Sequence, residues 1–495
     1  MEALVEQAVK REAGIISPPP QKKKAGLGLW YQWHRKTGII VLVPVIMWCV
    51  SGLMHPIMAR WFKVEIPNRF VKAPALQAGD FSVPLKEALA KNGITSFGNV
   101  NIILMDGQRY YQVQPVDEEG EIHYINTRDG VLLDDGDIAY ATWLGRYFME
   151  EWQAGIGQIE VVNEYTSEYK FINRLLPVYK ISFAGPEGLD VYVHTRSSRL
   201  GAANDKARKT YMWLFSTLHN WDFFAFTGPL RPVLMTLLLT LIFLSAVSGL
   251  YIYSIGWKRF KKQTMTNSRL KRRKWHRTLG VAVSVVTITF SFSGAYHLLY
   301  KKDPNALHDF INQAEIYTAD LHTDPVGLLT QLEYPVANIS LVTLEDQLYY
   351  RFGHWGQHRH AVSYLSARDG SLLENGDRRY ARYLAGMFSG LPGTPFVEQI
   401  TKFGGEYGFV NKRLPVQKVS YNTPDKATYY IETSTGKLAA HVTNPDRWEG
   451  FSFAFLHKYH TLDFAGKDFR DAVMSLAALG LLTVSLFGLA LYLKK

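Results

Sequence analysis

Apolar residues gather in four long runs, at about 37–58, 231–254, 278–299 and 471–493, separated by long segments of mixed character. Each run reaches the length of about 20 residues that a helix needs to cross about 30 Å of hydrocarbon. Between them the period changes. Short alternating stretches such as Asn101–Leu104 and Tyr110–Val113 read as strands, Asp129-Gly130 as a hairpin turn, and Pro84 to Asn92 as a helix. Arg368-Asp369-Gly370 and Tyr429-Tyr430-Ile431 give the same strand and turn signals later in the chain.

The order of these signals is duplicated. Trp33-His34-Arg35-Lys36-Thr37-Gly38 returns as Trp275-His276-Arg277-Thr278-Leu279-Gly280, and Ser51-Gly52-Leu53-Met54-His55 as Ser293-Gly294-Ala295-Tyr296-His297. Thr127 to Leu133 matches Ala367 to Leu373, Glu168 to Pro177 matches Glu406 to Pro415, and His219-Asn220-Trp221-Asp222-Phe223 matches His460-Thr461-Leu462-Asp463-Phe464. The pattern predicts a tandem repeat of span, outer domain and span, with a pseudo-twofold axis along the membrane normal. The fold class expected is a membrane α-helical protein with two outer α+β domains.

Composition changes this picture little. Of 495 residues, 47% are hydrophobic, yet the mean hydropathy is only -0.09, because greasy spans average with polar domains. The net charge of +11 is informative through its placement. Basic residues cluster at 21–36, 258–277 and 494–495, all beside apolar runs, so they are topology signals and no nucleic-acid partner is expected. They put the N-terminus, the loop between spans two and three, and the C-terminus in the cytoplasm of a bacterium, with the long segments in the periplasm across the inner membrane. The first 29 residues, with Pro18-Pro19-Pro20 and Lys22-Lys23-Lys24, read as a polar tail rather than a signal peptide.

The expected organisation is therefore a cytoplasmic tail at 1–29, a first span at 30–58, an outer domain at 59–207 and an interfacial segment at 208–230. A second span at 231–254, a basic loop at 255–277 and a third span at 278–299 follow. The second outer domain takes 300–446, its interfacial segment 447–470, and the last span 471–493.

The single cysteine, Cys49, excludes an intrachain disulfide, a Cys-ligated iron–sulfur cluster and a C-x-x-C-H haem attachment. There is no G-x-G-x-x-G after a strand, no P-loop and no H-E-x-x-H, so no NAD or flavin site is expected in this chain.

The W-H-R-x-x-G entry to a span, the Ser-Gly near its far end, and the small α+β modules with an Asp-Gly hairpin resemble the PepSY-associated transmembrane family. The resemblance covers nearly the whole chain after residue 30. It implies PepSY-like periplasmic domains and, through members linked to iron uptake, a haem-containing ferrisiderophore reductase.

That resemblance gives weight to six histidines. His34 and His55 are 21 residues apart, as are His276 and His297, which corresponds to about 31 Å of helix. Each of these two helices would thus carry one imidazole near each membrane face. His219 and His460 add two more at the outer edge. Ionisable groups near hydrocarbon are costly and usually serve function, and haem iron accepts neutral imidazole as an axial ligand. On a twofold axis His34 and His276 would ligate one haem b, and His55, His219, His297 and His460 would serve one or two more. Gly52, Gly249, Gly294 and Gly488 would allow close approach. Asp222 and Asp463, three residues after His219 and His460, would orient an imidazole or cap a helix.

A lone histidine beside a tryptophan at a membrane edge is ordinarily an anchor or cap, and Trp30, Trp33, Trp48, Trp213, Trp221, Trp257 and Trp275 read as an interfacial belt. His457 reads as an ordinary interfacial residue, and His354, His358 and His360 as a solvated hairpin tip. The expected activity is electron transfer across the inner membrane to a periplasmic ferric siderophore, with a quinol, reduced flavin or partner protein as donor. The competing expectation is a non-catalytic membrane protein whose outer domains bind or regulate peptides or proteases.

Overall fold

The computed structural model describes residues 25–117, 120–264, 266–300, 306–307, 310–312 and 314–493. The expected tail up to Lys24 and the closing Lys494-Lys495 lie outside them. The chain divides into two compact units. One takes in residues up to Leu53, Trp221–Leu299 and Phe453 onward; the other takes in Met54–Asn220 and Tyr300–Ser452.

The helical unit is built on four helices long and apolar enough to cross a membrane: Leu42–Trp61, Leu230–Lys261, Ser268–Tyr300 and Lys467–Leu493. Only 6–28% of each apolar stretch is buried within the protein. Leu237, Leu244, Leu476 and Leu486 point outward and are exposed. A helix that is apolar on its outer face needs lipid as its solvent, because water would be repelled by that surface. The buried seam is small. Val41, Val45, Cys49 and Ile242 form it, packed against Trp48, Leu238, Leu239 and Leu482. Cys49 is a buried hydrophobe here.

The first span departs from a single rod. A separate helix, Ala25–Ile40, precedes Leu42–Trp61, so His34 and His55 are on different helices. Pro44 explains the interruption: it has no N–H to donate to the carbonyl of residue 40. The second and third spans instead run further than their apolar cores. They extend to Lys261 and start at Ser268, so most of the basic loop is helical. Lysine and arginine are good helix formers and their heads stay in water.

The sheet-rich unit contains two similar sets of elements. A three-stranded antiparallel sheet, Asn99–Met105, Gln108–Gln114 and His123–Asn126, is followed by the helix Gly136–Met149. A four-stranded antiparallel sheet then runs through Ile156–Val162, Val178–Phe183, Asp190–His194 and Arg199–Asn204. The second set has strands Val336–Leu344, Gln347–His354 and Val362–Ser366, the helix Gly376–Ser389, and strands Phe396–Ile400, Val416–Ser420, Thr428–Glu432 and Lys437–Val442. Gly130 and Gly370 close the Asp-Gly hairpins at φ +70° and +75°, a conformation that favours glycine.

The two sets are not independent domains. Ser96–Phe97 pairs with Ile316–Tyr317, and one core joins Leu85, Phe97, Tyr111 and Ile125 to Ile339, Tyr350, Phe352 and Leu365. Two cross-set bonds are reciprocal. Arg174 Nη1 donates to Asn411 Oδ1 at 2.7 Å, and Lys412 Nζ donates to Asn173 Oδ1 at 2.9 Å.

Candidate haem-ligand site

His34 and His276 meet inside the helical unit. Their ring centroids are 6.2 Å apart and the planes cross at 62°. His34 projects from Ala25–Ile40 and His276 from Ser268–Tyr300. Each ring is held by a further helix. His34 Nδ1 lies 3.0 Å from the carbonyl oxygen of Ser245 and 3.1 Å from Ser248 Oγ. His276 Nδ1 lies 3.0 Å from the carbonyl oxygen of Val484. A carbonyl oxygen only accepts, so Nδ1 carries the proton in both rings. Nε2 is then a lone pair, the state a metal requires of imidazole.

The helices also make room. A Cβ on Gly249 would lie 3.1 Å from His34 Cε1, and one on Gly488 would lie 3.4 Å from His276 Cε1. In each case the glycine is four residues past the carbonyl that holds the ring, so it sits one turn along the same helix face.

These residues fit an iron porphyrin. Two metal–nitrogen bonds of about 2 Å, extended by the half-width of each ring, put imidazole centroids about 6 Å apart on opposite faces of one metal. Among the described residues no group of three or more His, Cys, Asp or Glu is placed to hold a metal ion.

The other histidines fall into two aromatic stacks. In the sheet-rich unit, Phe215 stacks on His219 at 4.8 Å and lies 6.1 Å from His55. His219 is in a π-helical turn, Ser216–Asn220. Burial, with His55 adding to it, pushes the His219 imidazole down to about 4. In the helical unit, Phe453 stacks on His297 at 4.6 Å and on His457 at 5.1 Å. His457 closes another π-helical turn, Ser452–His457, and also lies 5.3 Å from Phe290. Isolated π turns re-aim side chains and are frequent at functional sites.

His460 sits elsewhere. It opens the 3-10 turn His460–Ala465, with Nδ1 2.7 Å from Asp463 Oδ2 and 2.6 Å from Arg470 Nη1. The element in the same position after the other π turn is Asp222–Thr227, whose Asp222 accepts from Arg231 at 3.0 Å. So the pairing of His219 with His460 is displaced. His457 stands where His219 stands, four residues after a stacked phenylalanine. The signal was present as Phe215-x-x-x-His219 and Phe453-x-x-x-His457. It was hidden because His-x-x-Asp at His219 and His460 gives an equally plausible match.

Of the remaining histidines, His354 is buried rather than solvated, where it bonds the Tyr334 carbonyl and Ser363 Oγ, and His358 stacks on Tyr334 at 3.8 Å. Both are satisfied locally in the hairpin.

Four apolar helices, with two imidazoles each held at Nδ1 by a neighbouring helix, define a multi-pass membrane protein. The family model described as the PepSY-associated TM region matches residues 149–495, and the chain belongs to that family. No curated protein matches the chain.

Proposed function

We propose that this protein is a haem-b reductase of the bacterial inner membrane that delivers electrons to a periplasmic ferric chelate, a ferrisiderophore, in iron acquisition. The carrying observation is the His34–His276 pair, 6.2 Å apart with both Nδ1 atoms bonded to carbonyl oxygens. Haem b bound there and at the outer edge would supply a one-electron iron couple on each side of the hydrocarbon layer. Reduction to Fe(II) loosens iron from hard oxygen ligands.

The chain's own groups have defined tasks in this reading. Ser245 and Val484 fix ring orientation, and Gly249 and Gly488 leave the rings space. The outer ligands come from His55, His219, His297 and His457. His276 and His297 are 21 residues apart on one helix, about 31 Å of rise, so one helix serves both edges. The reading also takes the chain as a duplicated span–domain–span unit, with both termini and the basic loop cytoplasmic and the sheet-rich unit periplasmic. The lysines and arginines flanking Leu230–Lys261 and Ser268–Tyr300 support that orientation. The donor is a quinol, a reduced flavin or a partner protein, since the chain has no nucleotide motif of its own.

The test is a reduced-minus-oxidised visible spectrum of the detergent-purified protein with a pyridine haemochrome assay. A b-type signal at one or more haems per chain is expected. A colourless, folded preparation that takes up no added haem overturns the reading and leaves a module that binds peptides or proteases.

A further inference from the structure

Among the described residues, the most exposed aromatic side chains are Phe226 at 84% and Phe464 at 85%. They hold the same place in the two halves of the chain. Each is the fifth residue of a 3-10 turn, Asp222–Thr227 and His460–Ala465. Each turn is entered through a left-handed residue, Trp221 at φ +55° or Tyr459 at φ +52°, and left through a glycine at positive φ, Gly228 or Gly466. A left-handed residue ends a helix, so the π turn before it stops and the chain folds back. An ion pair then ties each turn to the first turn of the span that follows. Asp222 Oδ1 lies 3.0 Å from Arg231 Nη1, and Asp463 Oδ1 lies 2.6 Å from Arg470 Nη1. Trp221, expected in the interfacial belt, is instead buried against Trp48, and Phe226 points outward in its place.

The level of these rings follows from helix length. From Leu230 to Lys258, where the basic end begins, the second span rises about 42 Å. From Lys467 to Leu493 the last span rises about 39 Å. Hydrocarbon is about 30 Å thick, and the whole bilayer with its headgroups about 40–45 Å. With the far ends of these helices in one headgroup layer, the two turns stand in the other. The third span returns between them, so both turns stand at the same face. An ion pair is wetted at that level while an aromatic ring reaches hydrocarbon. Exposed apolar residues then continue at helical spacing, Leu230, Val233 and Leu237 in one span and Phe469 and Leu476 in the other.

We propose that each turn is a membrane wedge, with Phe226 and Phe464 inserted between the lipids of one leaflet, where they fix the depth at which the second and fourth spans begin. The occupant of this surface is the bilayer, because the rings stand at its level and the spans behind them already need lipid as solvent. The inference is independent of the haem reading.

The experiment is spin labelling of the full-length protein in phosphatidylcholine–phosphatidylglycerol vesicles. Phe226→Cys and Phe464→Cys each add one exposed thiol; the natural Cys49 is buried, and wild type is the labelling control. Power saturation reads collisions with oxygen, which concentrates in lipid, and with a water-soluble nickel chelate. The oxygen-to-chelate ratio at both sites is expected to be several times that of Arg368→Cys, on the exposed hairpin of the sheet-rich unit, and to approach that of Leu476→Cys. Phe226→Trp and Phe464→Trp keep an aromatic ring, and their added emission over wild type is expected to be quenched by brominated lipid. A ratio equal to that of Arg368→Cys, poor access to both collision partners as in contact with a second copy or a soluble protein, or no added quenching overturns the proposal.

Discussion

His34 and His276 come from helices far apart in sequence, yet their rings stand 6.2 Å apart, each pinned through Nδ1 to the backbone of a further helix. Neither bond depends on a side-chain partner that drift would erase. The carbonyls of Ser245 and Val484 are fixed by helix geometry, so the backbone sets the orientation of both rings.

If one haem lies between these rings, His34→Ala and His276→Ala remove the same spectral component, because each deletes one ligand of a shared iron. Difference spectra of the two variants should superimpose. Distinct losses would show that the two histidines serve different irons.

Gly249 and Gly488 test the same geometry without touching a ligand. Gly249→Ala adds a methyl 3.1 Å from His34 Cε1, whereas Gly488→Ala adds one 3.4 Å from His276 Cε1. Overpacking of this kind costs about 1–3 kcal/mol. Gly249→Ala should therefore retain less haem after gel filtration and shift its absorbance more than Gly488→Ala. The reverse order would mean the rings are not confined by these helices.

At the outer edge, His457→Ala should lose spectral intensity and His460→Ala should not. His460 belongs to a half-exposed group with Asp463 and Arg470, and ion pairs near the surface contribute only about 0–1 kcal/mol. Haem stoichiometry per chain decides it. Loss on His460→Ala, with His457→Ala unchanged, would restore the match suggested by the sequence.

Glu432→Gln should destabilise the sheet-rich unit by about 3–5 kcal/mol, because Arg199 and Arg413 lose their buried counter-charge. The pH dependence has a definite sign. A carboxyl lowered on folding contributes stability that is fully present above the unfolded-state value of 4.5 and is lost as pH falls toward the folded-state value. Wild type should thus lose Tm on acidification below about pH 4.5 more steeply than Glu432→Gln. Parallel Tm curves for the two proteins would exclude this role for Glu432.

The local pattern of the chain decided the four spans and the strands around Asp129-Gly130 and Asp369-Gly370, because hydrophobic period and turn chemistry are local properties. It did not decide where helices break or which histidines meet. Pro44 interrupts the first span through a bond that a later residue fails to make. The π turns at Ser216–Asn220 and Ser452–His457 shift the side-chain register within an otherwise helical pattern. That shift hid the likeness of His457 to His219. The shared core and the Glu432 environment exist only once distant strands pack, since burial and long-range charge depend on neighbours that sequence spacing does not specify.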